Sequence, residues 1–283
     1  MCRSLCASRN RHRKIEPPED GDRHFRSRPF QNIAREEVMV REDWVVNKGV
    51  RLHYLDCDRE VCGLVPIIFV PGALASAEVY ASEMAALAPR RCIAVTLRGR
   101  GQSDAPETGY SFGDHVSDID AIISQLGLSR FCLMAYSMGV PFAIACASHH
   151  PRSLAGLIIA DYPASYPALE PEWVEQTLSV VPPRARPHVV RGLQRESAEV
   201  LLWDSLNRIE CPVLILRGGQ SGSLLTREQA EMYRQHLRNV EIVVFEDSGH
   251  ELWKPDYSRF ISTIGRFLQQ IDSQDASLRV DAP

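Results

Sequence analysis

Six short runs of this chain are almost wholly apolar: PIIFV, RCIAVTL, RFCLMAY, LAGLIIA, PVLILR and VEIVVF, starting at positions 66, 91, 130, 154, 212 and 240. A strand that is apolar at every position, rather than at every second one, needs cover on both faces. Helix-length segments lie between most of these runs, at 76–88, 111–126, 138–149 and 226–237, and a last one is expected over 256–270. Strands and helices alternating in this way build a mainly parallel sheet with helices on both sides. Ahead of them, VMVREDWVV and VRLHYLD alternate in period two around the turn at 47–49, which predicts an antiparallel hairpin.

The interval 162–210 breaks the alternation. It is Pro-rich early (YPASYPALEPEW), helical in pattern later (ESAEVLLWDSLNRI), and holds no strand-like run. An insertion between two strands of such a sheet, over the edge where these sheets bind ligands, makes a lid. The expected organisation is a core of 38–161 and 209–271, a helical lid over 162–208, and flanking tails at 1–37 and 272–283. The first tail is basic at its start and then mixes Pro with both charge signs, so it cannot bury a core and is expected to be disordered. No apolar stretch follows its charges, which excludes a secretory signal, and the apolar face of a mitochondrial presequence is missing. A start near Met39 is the plain alternative.

A formal net charge of -4 argues against a nucleic-acid partner. The eight cysteines form no Cys-x-x-Cys pair and no zinc spacing, so they are read as reduced thiols of a cytoplasmic protein, with no metal site and no cofactor expected. The longest uncharged run, 131–147, is shorter than the roughly 20 residues a bilayer requires and is interrupted by Ser137, Gly139 and Pro141, so no membrane span is expected.

Chemistry concentrates in three places. In LMAYSMG a strand ends at Tyr136 and a helix follows, with Ser137 between the small residues Ala135 and Gly139. Small neighbours let strand and helix approach across a strained turn that lifts the serine Oγ out of the sheet, the arrangement known as a nucleophile elbow. The Met138 N–H then points at the same spot. In FEDSGHELW, His250 follows an apolar strand and is placed to reach Ser137 from a separate loop as a base. In IFVPGALAS a strand runs into Pro71-Gly72-Ala73, where the Ala73 N–H would be the second donor of an oxyanion hole. A plain Pro-Gly turn is the competing reading there.

Together, AYSMG, the LRGRGQSD loop, SGH and FVPGA resemble the α/β-hydrolase fold superfamily, and more narrowly its lidded serine hydrolases, across residues 38–270. The resemblance implies an α/β fold with an eight-stranded, mainly parallel sheet and a helical lid. It also implies a nucleophile Ser137, an acid and a base His250, in that chain order. Three departures stand out: Pro71-Gly72 replaces the usual His-Gly, Thr96 replaces an Asp, and Ser221 and Gly222 occupy the positions where similar sequences carry the acid.

The acid must reach His250 Nδ1 from elsewhere. Glu228 sits in the first turn of a predicted helix, where an acid suits the helix dipole. Asp247 and Glu251 flank the histidine too closely in sequence to face the same ring nitrogen. Asp161 follows the strand after the elbow helix, where the resemblance implies that some members, certain haloalkane dehalogenases among them, place theirs. It is taken as the acid, against the alternative that its role is structural.

The function expected is that of an esterase-like hydrolase acting without a cofactor on a small-molecule ester, thioester, amide or ketone, or transferring its acyl group. A lyase, cyclase or oxygenase using His250 as base is the alternative, and a non-catalytic binder a third. In the lid, Tyr162, Trp173 and Trp203 are candidate substrate contacts, and Arg191 is the candidate partner for a substrate carboxylate. Tyr166, Arg184, Arg186 and Arg195 lie beside them, and a solvated basic face is the plainer account of most of the arginines.

Overall fold

The turn that opens the sheet contains Lys48 (φ 50°) and Gly49 (φ 83°). Two successive positive φ values are what a two-residue hairpin turn requires to follow the strand twist, and β2 (Val40–Asn47) folds back on β3 (Val50–Asp56) antiparallel. The computed structural model describes residues 11–13, 40–57, 61, 63–180 and 186–280. Beyond the hairpin lie β4 (Ile67–Val70), β5 (Cys92–Val95), β6 (Phe131–Tyr136), β7 (Leu154–Ala160), β10 (Val213–Gly218) and β11 (Val240–Phe245). These are the six apolar runs, and all their mutual pairings are parallel. The sheet order β2-β3-β5-β4-β6-β7-β10-β11 gives the expected eight strands, and β1 (Arg11–Arg13) adds a ninth at the edge.

That edge corrects one expectation. Part of the basic tail joins the sheet, with Arg11 opposite Glu42, because a backbone ladder can form without apolar side chains. The rest of the reading of 1–37 lies outside the described residues.

Each parallel strand divides its side chains between two cores. Ile68, Val70, Leu133 and Ala135 face one cluster, with α2 (Phe112–Gln125), α3 (Gly139–His149) and α6 (Arg227–His236). Ile67, Phe69, Cys132 and Met134 face the other, with α1 (Ala81–Ala86) and α7 (Tyr257–Val280). Helix starts follow local chemistry: Ser111 with Asp114 and Thr226 with Gln229 form capping boxes. Helix α7 is longer than expected, so 272–280 is helix rather than a flexible tail. Asp272 pairs with Arg90 and Asp275 with Arg130, fastening the last turns to side chains far away in sequence.

Between β7 and β10 the chain forms β8 (Ser165–Tyr166), α4 (Pro171–Val180), α5 (Pro187–Glu196), β9 (Val200–Leu201) and a 3-10 turn. The small antiparallel β8–β9 pair was not legible in the sequence; two residues per strand leave no periodicity to read. No helix among the described residues is long and apolar enough to cross a membrane.

Candidate active site

Ser137 has a φ of 55° at the turn from β6 into α3. A left-handed non-glycine residue costs of order 1–3 kcal/mol, and here the surroundings hold it. Its N–H donates to the Ala160 carbonyl (3.0 Å), and its carbonyl accepts from Val140 N–H (2.9 Å). The need for a small residue two positions on is visible as well. A Cβ on Gly139 would stand 2.4 Å from the Pro71 carbonyl oxygen, so only glycine lets α3 come this close to the turn after β4. Pro141 sits in the first turn of α3, where a missing N–H breaks no intrahelical bond.

The Pro71-Gly72-Ala73 turn lies directly against the serine. A Cβ at Gly72 would be 3.0 Å from Ser137 Cβ and 3.5 Å from its Oγ. Met138, the N-cap of α3, is next to the serine on the other side. Arg100 holds the turn from behind, a role no sequence signal indicated. Its Nε donates to the Ala73 carbonyl (2.9 Å) and its Nη1 to the Arg98 carbonyl (2.7 Å). The same Nη1 meets His115 Nε2 at 2.6 Å. His115 Nδ1 faces the Ser111 carbonyl at 2.8 Å and so carries the proton, leaving Nε2 to accept from Arg100. Burial lowers the Arg100 pKa to about 10, and burial together with the nearby arginine charge pushes His115 well below the usual imidazole value.

Of the two other departures from the family pattern, Thr96 accepts the Ala77 N–H through Oγ1 (3.0 Å), so a hydroxyl ties the start of the 3-10 turn Ala77–Tyr80, which lies between β4 and α1. The loop without a carboxylate, 218–224, is built as a socket for one. Asp161, fully buried just past β7 with φ 52°, receives Gly218 N–H (3.0 Å) and Ser223 O–H (2.6 Å) on Oδ1, and Leu224 N–H (2.9 Å) on Oδ2. His250 Nδ1 lies 2.8 Å from the same Oδ2, and His250 Nε2 lies 3.0 Å from Ser137 Oγ. Burial raises the Asp161 pKa, but hydrogen bonds from His250, Ser223, Gly218 and Leu224 outweigh it, and the group stays below the ordinary carboxylate value. An ionised Asp161 fixes the proton on His250 Nδ1 and leaves Nε2 as the acceptor for the serine hydroxyl.

The rival carboxylates are elsewhere. Glu228 is exposed on α6, Asp247 is exposed in its loop, and Glu251 pairs with Lys254. A further contact came unannounced: the Tyr136 ring stacks on His250 at 4.6 Å and 24°, and its hydroxyl donates to the His250 carbonyl (3.2 Å). A tyrosine immediately before the elbow serine was the available signal.

The candidate lid contacts fare less evenly. Tyr162 and Trp173 are half-buried against the core. Trp203 is partly exposed and its ring lies edge-on to Tyr233 of α6 at 5.1 Å. Arg191 is exposed on α5, and none of the four hydrogen-bonds to Ser137, Asp161 or His250. Arg186 and Arg195 donate to the carbonyls of Gly101 and Glu107, and Arg184 lies outside the described residues.

Comparison with known proteins agrees with this architecture. A family model described as alpha/beta hydrolase fold matches residues 65–186. The chain is 26% identical over 258 residues to N-formylmaleamate deformylase of Pseudomonas putida, covering 78% of this chain and 93% of that protein. It is 31% identical over 125 residues to 2-(acetamidomethylene)succinate hydrolase of Mesorhizobium japonicum, covering 44% and 45% respectively. Among solved structures it is similar to the esterase EaEST from Exiguobacterium antarcticum, with a TM-score of 0.67 at 22% identity, covering 78% of this chain and 96% of that one. Fold, sequence and relatives converge: the chain belongs to the α/β-hydrolase superfamily and is one of its esterase-like hydrolases.

Proposed function

We propose that this chain is a serine hydrolase whose triad is Ser137, His250 and Asp161, with no cofactor in the acyl transfer and with the acid supplied from the end of β7. The observation that carries the reading is the continuous hydrogen-bonded line from Ser137 Oγ through both ring nitrogens of His250 to Asp161. In the first half-reaction Ser137 Oγ attacks the carbonyl carbon while His250 Nε2 takes its proton. Asp161 stabilises the imidazolium through Nδ1–H. The Met138 and Ala73 N–H groups receive the developing oxyanion. The proton then passes to the leaving group, and water, activated by the same histidine, releases the acyl group and restores the serine.

The relatives named above are a deformylase of N-formylmaleamate and a hydrolase of 2-(acetamidomethylene)succinate. By analogy, a small molecule with a hydrolysable acyl–nitrogen or ester bond is the substrate class to test first. The segment 162–208 serves as the lid. Its α5 packs over the loop after β5, where a Cβ on Gly99 would come within 2.6 Å of Val189, and a Cβ on Gly192 would come within 2.6 Å of Tyr110.

Intact-mass labelling with a fluorophosphonate tests the triad. Wild type is expected to take one adduct and Ser137→Ala none, with Asp161→Asn slower by on the order of 10²–10⁴-fold. An unlabelled wild type would sink the serine-hydrolase reading, and full-speed labelling of Asp161→Asn would remove Asp161 from it.

A further inference from the structure

At the far end of α3 from the serine, Cys146 lies in the last turns of the helix and His150 is its C-cap residue, and both side chains turn toward α2. Asp120 of α2 faces both. Its Oδ1 lies 3.1 Å from Cys146 Sγ and 3.0 Å from His150 Nε2, and the three ligand-type atoms all fall within 4.8 Å of one another. A tetrahedral ion with bonds of roughly 2.0–2.3 Å spaces its ligand atoms about 3.3–3.7 Å apart, so the three need only small adjustments to share one.

We propose that Asp120, Cys146 and His150 form a binding site for a divalent metal ion of the zinc class, with the fourth position open to solvent. A thiolate, an imidazole and a carboxylate together select zinc or cobalt over magnesium or calcium, which take oxygen donors. The neighbouring His149 supplies the outer support such ligands usually have: its Nδ1 lies 2.9 Å from Asp120 Oδ2 and fixes the carboxylate's orientation. Cys146 is fully buried, whereas the Asp120 and His150 side chains are 28% and 20% exposed, which gives the ion a way in from water. On binding, the Cys146 S–H bond is lost and its proton leaves to solvent as the metal–sulfur bond forms. His150 binds as neutral imidazole and Asp120 as carboxylate, and nothing is oxidised or reduced. The ion would clamp α2 to α3, the helix whose first residue follows the Ser137-Met138 turn.

Titration of the reduced full-length chain with Co(II) tests this site independently of any hydrolytic activity. One equivalent is expected to produce a thiolate-to-cobalt absorption band in the near ultraviolet, which Zn(II) then abolishes. A second cluster, Glu42, His53 and Glu78, contains no thiol and cannot produce that band. Cys146→Ser is expected to lose the band. His150→Ala, a change at a partly exposed side chain, should weaken binding at least tenfold while keeping the wild-type circular dichroism. A wild type that shows no thiolate band, or a band of unchanged affinity in correctly folded His150→Ala, overturns the proposal.

Discussion

Asp161 is a carboxylate with no exposed surface, and a buried charge is tolerable only where donors replace water. Four do so: two backbone amides, the Ser223 hydroxyl and the His250 ring. Each favours the ionised form, so removing one should raise the Asp161 pKa. Ser223→Ala deletes the shortest of these bonds, 2.6 Å, and is expected to lower kcat/KM about tenfold near neutrality, the order of one lost charge-assisted hydrogen bond. Because the carboxylate then takes up a proton at higher pH, the acidic limb of the pH–rate profile should move upward. An acidic limb that stays in place would mean that Ser223 does not tune the acid. Ser137 is the contrasting residue. Its strained φ and the smallness of Gly139 are consequences of one local turn, so the sequence exposes them, whereas nothing around Asp161 in the chain announces donors that arrive from 57 to 89 positions away.

The β10 strand and the loop after it govern how the histidine approaches. A Cβ on Gly218 would lie 2.3 Å from the Gly249 carbonyl oxygen and 2.8 Å from that of Ser248, both backbone atoms of the His250 loop. Gly218→Ala must therefore push that loop away, and it is expected to cost about 1–3 kcal/mol in urea unfolding and to slow fluorophosphonate labelling more than tenfold. Gly265→Ala is the control, since its Cβ would meet nothing within 4 Å on α7. It should leave labelling unchanged and stabilise the helix by up to about 1 kcal/mol. Equal behaviour of the two variants would count against packing of the β10 end on the histidine loop. At this scale the sequence was informative about strands and helices, whose periodicity is internal to each segment. It was blind to the β8–β9 pair and to the last turns of α7, which depend on partners elsewhere.

Across the whole molecule two cores sandwich one sheet, and among the described residues two histidines have no exposed surface, His53 and His115. Burial lowers the pKa of both from the ordinary 6.5, only partly offset at His53 by Glu78 and Glu42. Well above pH 6.5 neither the folded nor the unfolded chain protonates them, and their contribution to the pH dependence vanishes. Below it the unfolded chain gains protons that the folded one refuses, so stability falls by up to about 1.4 kcal/mol per pH unit for each group. Urea midpoints should drop from pH 7 to pH 5, and His115→Gln should flatten the drop; an unchanged slope would show that His115 is protonated in the folded state. The sequence by itself determined the class of fold, the lift of Ser137 at its turn and the placing of His250 after a late strand, because each rests on short-range sterics and apolar periodicity. Tertiary structure alone decided what holds the Asp161 carboxylate against the His250 ring, what braces the Ala73 turn and that Asp120 meets Cys146 and His150. Those are alignments of a few ångströms between side chains far apart in the chain, and only the packed sheet and helices fix them.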